Sequence, residues 1–80
     1  MSLKDEILCF EVVQHHGAHL EVLQEYARLY KTSNGKIHGE ISRANLSKAI
    51  HDQRLKALDS VFVAHPVQYL IIRIKERNDV

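Results

Sequence analysis

Leu20, Leu23, Ala27 and Tyr30 recur at intervals of three and four, with Glu21, Gln24, Glu25 and Arg28 between them. That spacing places the apolar side chains on one face of a helix and the polar ones on the other. Ile7, Phe10 and Val13 recur in the same way behind Ser2 and Asp5, a capping hydroxyl and a first-turn carboxylate, and so predict an earlier helix from about Leu3 to His15. Gly17 bends or divides the two. Thr32-Ser33-Asn34-Gly35 is the clearest break, because Asn-Gly suits the positive φ of a tight turn. Lys36 to Ile41 is too short and glycine-containing for a helix and predicts a short extended segment. Ser42 then caps a third helix, Arg43 to His51, in which Leu46, Ala49 and Ile50 are spaced helically.

Leu55, Leu58 and Phe62 fit one face of a fourth helix beginning near Gln53, although Val61-Phe62-Val63 equally suits the opening of a strand. His65-Pro66 ends either element, since the residue before proline avoids the α region. Val67 to Lys75 alternates as a strand, with Leu70, Ile72 and Ile74 on the core face. Its other face grades from apolar to cationic at Arg73 and Lys75. Its partner is the 61–64 segment, the Ile37 region or the same strand of another subunit. The expected fold is therefore α+β and mostly helical, with two N-terminal helical segments, two short helices and a C-terminal strand or hairpin in a single domain of residues 1–80.

Length and composition narrow the function classes. Eighty residues with 45% hydrophobic and 26% charged side chains suit one folded domain, too apolar for a disordered tail. No apolar run, Tyr69-Leu70-Ile71-Ile72 included, exceeds four residues, far too short to span a bilayer. The acidic start at Asp5 and Glu6 is unlike a signal peptide, and the lone Cys9 forms no internal disulfide, so a reduced, cytoplasmic setting is expected. Charge is segregated: residues 1–30 carry two basic residues against five acids, and residues 31–80 carry nine against five. A positive second part points to a polyanionic partner.

The stretch Gly35-Lys36-Ile37-His38-Gly39-Glu40-Ile41-Ser42-Arg43-Ala44-Asn45-Leu46-Ser47-Lys48-Ala49-Ile50 resembles the part of winged helix-turn-helix domains that runs from a short strand through a Ser or Thr cap into the first motif helix. The resemblance extends over roughly residues 35–75, with Ala64-His65-Pro66 standing where such domains often place a glycine before the wing. It implies a small DNA-binding transcriptional regulator, dimeric on a two-part site of double-stranded DNA. Under that resemblance Gln53 and Arg54 read bases and Lys56 meets a phosphate at the start of the recognition helix. Ser42, Arg43 and Lys48 contact the backbone, and Arg73 and Lys75 flank it from the sheet. The segment from Ile41 to Ile50 is also similar to the recognition helix of repressor-type proteins, which would turn Ser42, Arg43, Asn45 and Lys48 toward DNA. The rival expectation is a protein-binding adaptor or inhibitor without nucleic-acid affinity, acting through the first two helices or the edge of the Val67–Lys75 strand.

Other chemistry has weaker support. Glu11, His15 and His19 would stack on one face of an unbroken helix and offer ligands to zinc or another borderline metal, but a fourth ligand is lacking and no metal is expected. Cys9 has apolar neighbours and no paired histidine motif, phosphate loops are absent, and no carboxylate pair suggests acid–base work. No enzyme and no cofactor are expected.

Overall fold

β-Branched and aromatic residues, rather than helical spacing, decide most of the chain. The computed structural model describes residues 6–65 and 69–75. Its elements are β1 (Ile7–Gln14), α1 (Gly17–Leu23), β2 (Arg28–Lys31), β3 (Ile37–Ser42), α2 (Arg43–His51), β4 (Leu55–Leu58), β5 (Val61–Ala64) and β6 (Ile71–Lys75). The strands form one sheet in the order β2-β3-β1-β6-β5-β4, and every neighbouring pair is antiparallel. Two helices, of seven and nine residues, accompany it. The mostly helical, winged-helix-like architecture expected from the sequence is therefore corrected: the sheet is the body of the molecule.

Three segments account for the difference. The predicted first helix is, over its described part, the eight-residue strand β1. Ile7, Phe10 and Val13 lie three apart, but the alternation of Leu8, Phe10 and Val12 is what the core uses: Phe10 is fully buried, and Leu8 and Val12 pack against the same cluster. Pairing with β6 shifts register between Val12 and Gln14, a bulge that leaves Val13 half exposed. The second helix stops at Leu23, and Arg28-Leu29-Tyr30-Lys31 instead pairs with β3 across the Thr32–Lys36 turn, where Gly35 has φ +85°. The predicted fourth helix is the hairpin β4–β5. Asp59-Ser60 forms its two-residue turn, closing Leu58 onto Val61, with Asp59 at φ 55°.

Other expectations hold. The short extended segment is β3. Helix α2 runs from Arg43 to His51 as predicted, and the Ser42 hydroxyl accepts a 3.1 Å hydrogen bond from the Asn45 amide. The predicted C-terminal strand appears as β6 with Ile72 buried, flanked by β1 and by β5, the first of its three candidate partners. Pro66 and Val67 lie outside the described residues.

Register assigns the sheet's two faces. Phe10, Ile41, Ile72, Leu55 and Ala64 share one face and form a core with Leu23 of α1 and Leu46 and Ala49 of α2. Both helices thus cover the same side. Cys9, Glu11, Tyr30, His38, Lys56, Arg73 and Lys75 point to the other. Cys9 is a partly buried free thiol on that second face and not, as its neighbours in sequence suggest, a core residue.

Candidate functional site

The nine predicted DNA contacts do not converge. Helix α2 carries Arg43, Asn45 and Lys48 on the helix side of the sheet, whereas Lys56, Arg73 and Lys75 project from the opposite face. Several of them already have partners. Arg43 bonds Glu6 at 3.0 Å, Lys48 bonds Asp52 at 3.2 Å and Arg73 bonds Glu11 at 3.3 Å. Ser42 is occupied as the cap of α2, and the Asn45 side-chain amide donates to the Tyr26 carbonyl at 3.0 Å.

Gln53 has a backbone role. After the last turn of α2, the Gln53 amide donates to the Ile50 carbonyl at 3.0 Å and the Arg54 amide to the Ala49 carbonyl at 2.8 Å, with Gln53 at φ 60°. This is the paired-bond helix stop in which a left-handed residue, usually glycine, reverses the chain. Residues 53 and 54 therefore end a helix where a recognition helix was expected to begin.

The same correction moves the proposed metal ligands apart. Glu11 is on β1, paired with Arg73, while His15 follows the strand and His19 lies on α1. Among the described residues no three His, Cys, Asp or Glu side chains gather as a metal site. No helix among them is long and apolar enough to cross a membrane.

What the fold does assemble is an edge. Strand β6, expected to offer its edge to a partner, is interior; the sheet ends instead in β2 and β4. In a hairpin closed at Leu58 and Val61, the hydrogen-bonded pairs are 58 with 61 and 56 with 63, so Leu55 and Ala57 turn their N–H and C=O groups outward. Next to that edge runs a groove of about 270 Å³ lined by Ile50, Gln53, Leu55, Lys56, Ala57 and His65. Ile50, at the end of α2, is 37% exposed, and Leu58 at the hairpin end is 43% exposed. Among the described residues the lining contains Lys56 and His65 and no acid. Neither β4 nor this groove was predicted; the Asp59-Ser60 turn between two short apolar runs was the signal that could have located them.

Comparison of the chain with protein-family models, curated proteins and solved structures finds no match to any of them.

Proposed function

We propose that this chain is a cytoplasmic protein-interaction module that takes an extended segment of a partner protein onto the edge of β4. The observation that carries this reading is the outward-facing backbone of Leu55 and Ala57 beside an apolar groove. A partner strand would satisfy those amides and carbonyls, and its alternate side chains would enter the groove against Ile50 and Leu55. Lys56 and His65, with no acid beside them among the described lining residues, favour a segment that interleaves acidic and apolar residues. The β2 edge is less suited, because Arg28 and Lys31 put two cations on four residues.

The reading is preferred to duplex binding because three of the proposed DNA-contacting cations are engaged by acids and the remainder lie on two sides of the sheet. Amide hydrogen exchange with a synthetic peptide of alternating Val and Glu tests it, with a Val and Lys peptide as control. The expected result is slowed exchange at Leu55 and Ala57 with the acidic peptide alone, and loss of the protection at Leu55 in Ala57→Pro, which has no amide to donate at 57. Unchanged exchange at those two amides overturns the reading. So does tight binding of duplex DNA that weakens steeply with salt and is lost when Arg43, Lys48 and Arg54 become alanine.

A further inference from the structure

A second concavity lies on the same helix-bearing face of the sheet, between α1 and the start of the β4–β5 hairpin. It holds about 150 Å³. Four of its lining residues, Leu23, Leu55, Ala64 and Leu70, are core side chains at most 3% exposed, and the partly buried Val22 and Tyr26 join them. His19, Arg54 and His65 add nitrogen-bearing side chains to the same lining, and among the described residues no carboxylate joins them. Arg54 takes no ion pair among the described residues, unlike Arg43, Lys48 and Arg73. The nearby acid, Asp52, is turned to other partners: it accepts the Tyr26 hydroxyl at 2.9 Å and the Lys48 ammonium at 3.2 Å.

His19, one of the lining residues, carries an unusual atom. Nδ1 of His19 is buried and has no hydrogen-bond partner among the described residues. Buried polar atoms without partners are uncommon because they forgo hydration without compensation. The ring is held by its surroundings, with His16 and Tyr69 at centroid separations of 6.0 and 6.1 Å.

We propose that this cavity binds a small organic anion, a carboxylate on an apolar body about the size of a benzene ring. A concavity near 150 Å³ walled in part by buried core side chains has room for a body of that size. The guanidinium of Arg54 is a planar donor matched to a carboxylate, and His19 and His65 supply further donors beside it. The site is separate from the peptide groove, although Leu55 and His65 border both.

The isotope-labelled 80-residue chain titrated with benzoate, benzyl alcohol and acetate tests the assignment by side-chain and backbone chemical shifts. Benzoate is expected to saturate with a Kd on the order of 1 mM and to shift His19, Arg54 and Leu70, while benzyl alcohol and acetate each bind at least about tenfold more weakly. Arg54→Gln, an exposed substitution that leaves the core intact, is expected to weaken benzoate by about tenfold; Lys56→Gln is expected to leave it unchanged. Equal binding of benzyl alcohol overturns the anion assignment. Indifference of benzoate to Arg54→Gln, or absence of saturation by about 20 mM, overturns it as well. Failure of the alternating peptide to protect Leu55 and Ala57 leaves these outcomes unaffected, so the two sites stand or fall separately.

Discussion

At residue scale, two backbone positions carry more of the fold than their side chains suggest. Gly39 on β3 is directly opposite Phe10 on β1, and a Cβ there would approach both Phe10 Cε1 and the Arg28 carbonyl oxygen to 2.8 Å. The fully buried Phe10 ring therefore packs over the strand where a side chain would otherwise stand. Gly39→Ala is expected to cost about 2 kcal/mol of stability by chemical denaturation. Combined with Phe10→Leu, its cost should fall below the sum of the two single changes, because both act on one contact. Gln53 is the converse case, a residue with a side chain at φ 60° where glycine has no steric penalty. Gln53→Gly is expected to raise stability by about 1 kcal/mol, and Gln53→Val to lower it by a similar amount, read as thermal midpoints moving in opposite directions. A base-reading glutamine on a helix would give the reverse, since glycine weakens a helix start's first turn.

At the scale of elements, what was legible in the sequence is what local chemistry alone determines. Ser42 followed by Leu46 and Ala49 specifies α2 to its last residue, since the cap bond and the buried stripe involve neighbours in the chain. Asn34-Gly35 specifies its turn for the same reason. Strand β1 escaped because its pairings join residues far apart in sequence, and β1, β2 and β4 alike because Ile7, Phe10 and Val13, or Leu23, Ala27 and Tyr30, or Leu55, Leu58 and Phe62, fall by coincidence at helical intervals. Of the candidate site, residue types were legible but their company was not: nothing local assigns Glu6 to Arg43 across 37 positions. The link between α1's end and α2 is another such contact. Tyr26 receives the Asn45 side-chain amide on its carbonyl and gives its hydroxyl to Asp52, so one residue ties the turn after α1 to both ends of α2. The Tyr26 hydrogen bond, with help from Lys48, holds the Asp52 carboxyl below its ordinary value. A carboxyl depressed in this way adds stability above its unfolded pKa of about 3.9, and the contribution disappears as pH falls through the lower folded value. Urea midpoints of the wild type should therefore exceed those of Asp52→Asn at pH 6, and the two should converge as the pH is lowered below the ordinary aspartate range.

At the scale of the whole molecule, an open sheet with both helices on one face has two ends to protect. Unpaired strand edges template further strands, and charged side chains on the edge are a common defence. The β2 end carries Arg28 and Lys31, whereas β4 carries Lys56 alone, with Leu58 43% exposed beside it. Two copies meeting through β4 would pair antiparallel and place their two Lys56 ammonium groups near one another, a like-charge contact that disfavours the dimer. That single charge thus discriminates between occupants: it opposes a second copy of this chain and favours a segment bearing carboxylates. Lys56→Val should remove the discrimination in both respects. Sedimentation velocity at about 100 μM is expected to show added dimer for Lys56→Val relative to wild type, with the difference narrowing at high salt as the wild-type repulsion is screened. Binding of the alternating Val and Glu peptide should weaken in parallel. A variant that stayed as monomeric as the wild type at every salt concentration would mean that Lys56 is not what keeps this edge unpaired.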